Sequence, residues 1–510
     1  MLAKILSGAV IGVDGFIVQV EVDLARGLPV FSTVGLPEGA VRESKDRVKA
    51  AIKNCGYDFP ARRITVNLAP ASVKKEGAGY DLPIALGILA ASGALNCPEL
   101  EKFGAVGELS LDGTVCPVRG MLPMILAARR EGVKRFFVPR ENACEAAVVK
   151  DVEIIAVGRL DETVEFLVGA QQISPSVTDI DSLFRTSNRH DVDFAEVKGQ
   201  EHAKRAMEVA AAGGHNILLN GVPGTGKTMM ARRLTTILPE LCLEEALETT
   251  KIYSTTGLLP EKNPLMVSRP FRSPHHTISD AGLIGGGQVP RPGEVSLAHN
   301  GILFLDELPE FRKNVLEVMR QPLEDGMVTI SRASTSLRFP ARFMLVAAMN
   351  PCPCGYYGDP DRECACTPVQ IQRYQNRLSG PLLDRIDMHV EVPAVKVKEI
   401  ESSENGSSSA DMRQRVNSAR QIQGRRYAGA DSVYCNAQMT QALMKKYCRL
   451  DTASTEILHR SVEHFGLSAR AYHRILKIAR TIADLDQSPD ITTKHITEAV
   501  QYRRLPSANG

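Results

Sequence analysis

A glycine-rich segment at residues 221–228 has the residue types and the spacing that bind nucleotide phosphates. It fits the pattern G-x-x-x-x-G-K-[ST] at every fixed position. The segment reads Gly221, Val222, Pro223, Gly224, Thr225, Gly226, Lys227, Thr228. The glycines let backbone N–H groups surround phosphate oxygens, Lys227 reaches the β- and γ-phosphates, and the Thr228 hydroxyl is a ligand for Mg²⁺. We favour a site for ATP and Mg²⁺ over the alternative, a glycine turn that matches by chance.

Two adjacent carboxylates, Asp306 and Glu307, follow the apolar run at residues 302–305. Four apolar residues in a row predict a buried parallel strand, and nucleotides bind at the carboxyl ends of such strands. Asp306 is predicted to hold the Mg²⁺ shell, and Glu307 to polarise the water that attacks the γ-phosphate. The alternative is a strand that ends at a solvated acidic turn. The phosphate-loop pattern upstream favours hydrolysis.

The flanking elements are those that such a site needs. Residues 216–220 predict a short buried strand before the phosphate loop, and residues 229–234 predict a helix after it. Residues 343–349 predict another buried strand, which ends at Asn350. A polar residue at the tip of a strand beside the hydrolysis strand can orient the attacking water, so Asn350 joins the predicted site.

Four cysteines lie in one short segment, residues 352–366, which follows Asn350. They form two C-x-C pairs, Cys352 with Cys354 and Cys364 with Cys366, on either side of a loop rich in Gly, Pro and Asp. Four thiolates suit tetrahedral Zn²⁺, although C-x-C is tighter than the usual C-x₂₋₄-C spacing. A structural zinc site is our interpretation, and free reduced thiols or a disulfide are the alternatives.

Composition limits the classes of function. The chain has 510 residues, which is enough for about three domains, and its net charge is only +2, so any nucleic-acid contact must be a local patch. The longest charge-free apolar run, residues 82–98, is too short and too broken to span a bilayer, and we find no signal-peptide pattern. Eleven cysteines with four clustered favour a metal site over a disulfide framework, so we expect a cytoplasmic protein without membrane association.

The pattern of apolar residues predicts a multidomain α/β protein. Short alternating strands mixed with helices indicate an α+β domain at the N-terminus, and a helical period dominates the C-terminus. Polar and Ser-rich stretches indicate two linkers. The predicted boundaries are 1–170 for the N-terminal domain, 171–190 for a linker, 191–398 for the ATPase core, 399–410 for a second linker and 411–510 for the helical domain.

The N-terminal domain resembles the Lon-protease-like domain of magnesium-chelatase-like ATPases. The segments that carry the resemblance are residues 70–81 and residues 120–142. Lon uses a Ser–Lys dyad, but Gly79 stands near the position of the serine and Leu122 near that of the lysine. Nearby Ser72, Lys74 and Lys75 do not match the pattern. Because a nucleophile needs a base within reach, we predict a non-proteolytic domain that serves in assembly or substrate contact.

The middle and C-terminal regions resemble the YifB/ComM family of magnesium-chelatase-like AAA+ ATPases. The phosphate loop, the acidic pair and the segments 350–355 and 379–387 carry this resemblance. It implies a water-orienting sensor-1 role for Asn350, an arginine-finger role in trans for Arg385, and a sensor-2 role for Arg470 in a helical lid. The alternatives are a salt bridge of Arg385 with Asp384 or Asp387, and a surface position for Arg470.

The same resemblance implies a homo-oligomeric ring, expected to be a hexamer, that acts on single-stranded or branched DNA as a branch-migration helicase in natural transformation. Two other functions remain open: a chelatase-type motor acting on a protein or metal-insertion partner, and a scaffold without activity. For the DNA path we predict a β-hairpin at 327–339 with Arg332 and Arg338, beside a mobile insertion loop at Gly285, Gly286 and Gly287. For His275 and His276 we predict ordinary loop hydrogen bonding.

Overall fold

The computed structural model describes residues 1–186, 191–260, 263–287, 289–332, 335–359, 361–394, 406–430 and 433–503. They form two compact units. The first unit comprises Met1–Ser187 and Leu243–Val267, and the second comprises Asn188–Cys242 and Ser268–Gly510. No helix among the described residues is long and apolar enough to cross a membrane.

A seven-stranded mixed sheet forms the centre of the first unit. Numbered along the chain, its strands are β1 (Leu2–Ile11), β2 (Asp14–Ala25), β3 (Val30–Val34), β4 (Arg63–Ala69), β5 (Phe103–Ala105), β8 (Arg135–Pro139) and β9 (Glu153–Val157). Their order is β3-β4-β2-β1-β5-β8-β9, and a separate hairpin joins β6 (Glu108–Leu109) to β7 (Val115–Cys116). Val18, Val20 and Val22 alternate along β2 and are fully buried.

The described part of the first unit also contains seven α-helices. They are α1 (Gly39–Asn54), α2 (Asp81–Ser92), α3 (Met121–Arg130), α4 (Ala143–Ala146), α5 (Leu160–Leu167), α6 (Ile180–Thr186) and α9 (Leu243–Thr256). Helix α2 is buried along most of its length. Helix α6 lies within residues 171–190, which the sequence analysis treats as a linker, so this segment is not irregular throughout.

Helix α9 comes from a stretch that the sequence analysis places in the ATPase core. In the structure it belongs to the first unit, where Leu247 packs against the cluster that includes α3. The Ser254 hydroxyl donates to the buried carboxylate of Glu145, which also accepts the Leu122 backbone N–H at 2.9 Å. These long-range contacts explain why a spacing argument misses the assignment.

Five parallel strands form the main sheet of the second unit. They are β10 (Ile217–Asn220), β11 (Phe271–Arg272), β14 (Ile302–Leu305), β17 (Met344–Met349) and β18 (Met388–Glu391), in the order β11-β14-β17-β10-β18. Strands β10, β14 and β17 confirm the three apolar runs predicted from the sequence. Because all pairings are parallel, the carboxyl ends of the strands meet at one edge of the sheet.

In the described part of the second unit, two hairpins accompany the main sheet. Strand β12 (Gly285–Gly286) pairs with β13 (Arg291–Pro292), and β15 (Met327–Arg332) pairs with β16 (Thr335–Pro340). The second hairpin confirms the sequence prediction. The first corrects it in part, because Gly285 and Gly286 belong to a paired strand where the sequence predicted a loop.

Within the residues that the structure describes, the helices of the second unit are α7 (Glu201–Gly213), α8 (Lys227–Arg233), α10 (Asp280–Ile284), α11 (Glu294–Leu297), α12 (Lys313–Val318), α13 (Arg320–Asp325), α14 (Pro368–Gln375), α15 (Gly380–Leu383), α16 (Ser409–Arg426), α17 (Gln441–Tyr447), α18 (Thr452–His464), α19 (Ala469–Leu485) and α20 (Thr493–Gln501). The helical C-terminal region is therefore confirmed. Helix α16 begins at Ser409, inside the linker predicted at 399–410, of which residues 399–405 lie outside the described part of the chain.

Candidate nucleotide-binding site

The phosphate loop lies between the end of β10 at Asn220 and the start of α8 at Lys227. Two of its glycines have backbone angles that favour glycine, φ +83° at Gly224 and φ +85° at Gly226. Gly221 is needed for a different reason, since a Cβ there would lie 2.2 Å from the carbonyl oxygen of Val392. Local conformation at Gly226 and close packing at Gly221 account for the two fixed glycines, and Gly224, at a variable position of the pattern, also has a positive φ.

Lys227 is held inside the loop. Its Nζ donates to the carbonyl oxygens of Gly221 at 2.7 Å and Val222 at 2.9 Å, and to the Asn350 Oδ1 at 3.3 Å. Burial lowers the pKa of Lys227 to about 8, and the nearby Asp306 carboxylate only partly opposes this effect. The structure thus brings Lys227 and Asn350 together at the carboxyl edge of the sheet.

Thr228 and Asp306 meet at the same edge. The Thr228 Oγ1 donates to the Asp306 Oδ2 at 2.8 Å, and the Asp306 Oδ1 accepts the backbone N–H of Glu307 at 3.0 Å. A hydroxyl and a carboxylate are oxygen ligands of the kind that Mg²⁺ prefers. The residues present therefore fit a magnesium ion bound with a nucleotide.

Glu307 follows Asp306 in a conformation that is uncommon for a residue other than glycine, with φ +52°. Its Oε2 lies 3.3 Å from the Nδ1 of His276. This contact is not predictable from spacing, because the two residues are 31 positions apart and the pairing of β11 with β14 brings their segments together. For His275 the expected loop hydrogen bond is present, with its Nδ1 2.9 Å from the Thr277 Oγ1.

Arg385 lies at the amino ends of the parallel strands, opposite the end that carries the phosphate loop. Its carbonyl oxygen accepts from the Nδ2 of Asn216 at 3.3 Å, and Asn216 immediately precedes β10, whose far end carries the phosphate loop. A strand of four residues is about 13 Å long. The structure therefore does not bring Arg385 to the phosphate loop of its own chain.

Arg385 and Arg470 share one acidic partner. The Arg385 guanidinium is 2.7 Å from the Glu324 Oε1, and that of Arg470 is 3.5 Å from the same atom. The alternative salt bridge was predicted with a neighbouring aspartate, and the partner is instead Glu324 on α13. Arg470 is exposed in the first turn of α19, where Ser468 is the N-cap and its side chain accepts the N–H of Ala471.

The two segments predicted to contact DNA pack against each other. A Cβ at Gly285 would lie 2.8 Å from the Cδ1 of Ile330 on β15, so the two hairpins touch. Arg338 is exposed on β16, opposite Thr329. Arg332 ends β15, and its side chain lies outside the described residues.

The four clustered cysteines converge in the structure. The Sγ of Cys352 is 3.4 Å from that of Cys354 and 3.6 Å from that of Cys364. The Cys354 backbone N–H points to the Cys366 Sγ at 3.4 Å, and all four sulfurs lie within 4.8 Å of one another. The Tyr356 backbone N–H lowers the pKa of the Cys354 thiol to about 6. None of the eleven cysteines forms a disulfide.

Comparison with known proteins places this site in a family. Three protein-family models match the chain. The model described as "Subunit ChlI of Mg-chelatase" matches residues 20–142, and "Magnesium chelatase, subunit ChlI" matches residues 193–400. "Magnesium chelatase, subunit ChlI C-terminal" matches residues 406–503. "Competence protein ComM" of Haemophilus influenzae is 46% identical over 99% of this chain and 98% of that protein.

"Uncharacterized protein YifB" of Escherichia coli is 44% identical over 99% of this chain and 97% of that protein. "Magnesium-chelatase subunit ChlI" of Euglena gracilis is 25% identical over 43% of this chain and 65% of that protein. Membership of the family that these matches define implies use of ATP and Mg²⁺. The chain belongs to the ComM/YifB family of magnesium-chelatase-like AAA+ ATPases.

Proposed function

We propose that the chain forms a ring that couples ATP hydrolysis to movement on DNA, as a branch-migration helicase in natural transformation or recombination. Lys227 binds the β- and γ-phosphates, and Thr228 and Asp306 hold Mg²⁺. Glu307 accepts a proton from the attacking water, which Asn350 orients. The hydrogen-bonded chain from Asn350 through Lys227, with Thr228 bound to Asp306, supports these roles.

The position of Arg385 supports a ring, expected to be a hexamer. Residues at the amino edge of the parallel sheet face away from the phosphate loop of the same chain, so Arg385 must serve the nucleotide of a neighbouring chain if it acts as a finger. A head-to-tail ring supplies that arrangement at every interface. Glu324 contacts both Arg385 and Arg470, which supports a finger that acts beside the proposed sensor-2 residue.

The observation that carries the DNA proposal is the link between Glu307 and the paired hairpins. His276 contacts Glu307, and its loop continues through α10 into the hairpin of Gly285. That hairpin packs on Ile330, in the hairpin that bears Arg338. Occupation of the hairpins by DNA would thus be transmitted through α10 and the loop of His276 to the residue that activates water. The relative named for competence agrees with a role in DNA uptake or recombination.

We also propose that the first unit is a Lon-like domain without proteolytic activity. Lys74 pairs with Glu38 at 3.3 Å, and the buried Lys75 donates to the carbonyl oxygen of Pro70. These partners leave neither lysine placed as a base for Ser72. We place the protein in the cytoplasm, since free thiols persist in a reducing compartment.

The test is the ATPase rate with and without single-stranded and branched DNA. We expect stimulation that falls steeply with salt and depends little on base sequence, because phosphate contacts dominate when aromatic residues are scarce. Replacing Arg332 and Arg338 together by Ala should remove DNA stimulation and leave the basal rate intact, whereas Arg460→Ala, at an exposed site on α18, should change neither. Unchanged DNA affinity in a folded double variant that forms rings would place the DNA path elsewhere.

A chelatase-type motor that acts on a protein or metal-insertion partner is the second candidate. The three matching family models are described by a magnesium-chelatase subunit. Against it, the matched subunit of Euglena gracilis covers only 43% of this chain. An ATPase rate that neither single-stranded nor branched DNA changes would favour this candidate over the helicase.

A further inference from the structure

The four cysteine sulfurs of the second unit have the separations of a mononuclear metal site. Zn–S bonds of about 2.3 Å in a tetrahedron place the sulfurs about 3.8 Å apart. The separations of 3.4, 3.5 and 3.6 Å among Cys352, Cys354 and Cys364 are close to that edge length. We propose that these three residues and Cys366 bind one structural zinc ion, and that this zinc site braces the phosphate loop.

The alternatives fit the geometry less well. A disulfide needs its two sulfurs about 2.05 Å apart, and here three sulfurs are mutually near at a longer and almost equal distance. An iron–sulfur cluster inserts several irons and sulfides between its thiolates, so it needs wider separations. Cys352 is buried and the other three are half-buried, as suits a closed site with four protein ligands.

The second part of the proposal rests on the proposed nucleotide site. Gly355 follows the first C-x-C pair with φ +91°, and a Cβ there would lie 2.7 Å from the Cγ of Pro223 in the phosphate loop. The turn at Gly355 therefore packs directly against the loop. The same segment begins two residues after Asn350, which contacts Lys227. A metal ion that fixes the cysteine turn would fix one wall of the phosphate loop as well.

Metal content tests the first part. We expect about one zinc per chain in protein purified without chelator, the same content in Cys144→Ser, and loss of zinc in Cys364→Ser. Cys144 is the matched control because it is an exposed free thiol outside the cluster. If Cys364→Ser does not fold, cobalt is exchanged into the unmodified protein and its absorption spectrum is recorded. A thiolate-to-cobalt charge-transfer band and the visible band of tetrahedral cobalt would support the four-thiolate site.

Absence of zinc and of these cobalt bands in folded protein would overturn the metal site. Iron in place of zinc would overturn the choice of metal, and zinc retained by folded Cys364→Ser would overturn the ligand set.

Two glycine variants test the bracing. Gly355→Ala and Gly358→Ala both add a Cβ at positive φ, +91° and +81°, but nothing lies within 4 Å of the added atom at Gly358. Backbone strain is therefore matched, and only the first variant pushes on Pro223. We expect both to keep zinc and Gly355→Ala alone to bind an ATP analogue about tenfold more weakly.

Equal affinity in the two glycine variants would overturn the bracing. If the unmodified protein holds zinc and binds no ATP analogue at all, the proposed nucleotide site fails and the zinc site stands.

Discussion

The depressed pKa of Lys227 makes nucleotide affinity sensitive to mildly alkaline pH. Burial lowers this pKa from 10.5 to about 8, so the amine is charged at neutral pH and loses its proton as the pH rises through about 8. With a pKa of about 8, roughly 90% of the side chain is charged at about pH 7 and roughly 10% at about pH 9. If only the ammonium form binds the phosphates, the Kd for ATP should rise about tenfold over this range.

The assay is equilibrium binding of ATP with Mg²⁺ to the Glu307→Gln variant, in which turnover is expected to stop. Calorimetry in two buffers of different ionisation heat measures the protons exchanged on binding. At about pH 9 we expect uptake of nearly one proton per ATP, because binding must recharge the amine. The Lys227→Arg variant is the matched control, since guanidinium stays charged throughout this range.

The prediction is tested by comparing the pH profiles of the protein with Lys227 and of the Lys227→Arg variant. We expect a Kd that rises with pH for the lysine protein and a flat profile for the arginine variant. A flat profile in both would show that burial does not control the charge of Lys227. The same slope in both would assign the pH dependence to another group.

Three further predictions follow from the same unit. A ring mixed from Arg385→Ala and Lys227→Ala chains should regain ATPase activity that neither variant has alone, and proven mixing without recovery would contradict a role in trans. His276→Ala should change the ratio of DNA-stimulated to basal ATPase while ATP affinity stays constant, and an unchanged ratio would separate His276 from coupling. Asp484→Ala should lower the stability of the second unit by about 3–5 kcal/mol in urea unfolding, because it leaves the buried Arg480 and the half-buried Arg426 without their carboxylate, and a loss below about 1 kcal/mol would refute this.

Local patterns predict the parts of the site that depend on neighbouring residues. The phosphate loop between β10 and α8 follows from glycine spacing and flanking apolar runs, and the N-cap at Ser468 follows from residue type. Each of these features is decided within a few residues along the chain. The strands ending at Asp306 and Asn350 are predictable for the same reason.

Contacts across the sheet are not predictable in that way. His276 reaches Glu307 because β11 is the neighbour of β14, and strand order is fixed by the packing of the whole unit. Arg385 forms an ion pair with Glu324 on α13 where its sequence neighbours were the predicted partners, and no spacing rule connects residues 61 positions apart. Helix α9 joins the first unit through the contacts of Leu247 and Ser254, which periodicity does not encode.

The parallel sheet also determines which residues one chain can bring to one nucleotide. Lys227, Asp306 and Asn350 all follow the carboxyl ends of strands, so a single chain assembles them. Arg385 precedes β18 and is tied to Asn216 at the opposite edge, a strand's length of about 13 Å away. Rotation of a side chain cannot cover that distance around a packed sheet. A contribution of Arg385 to catalysis at this site therefore requires a second chain or a rearrangement of the sheet itself, and a second chain is the explanation that leaves the buried core intact.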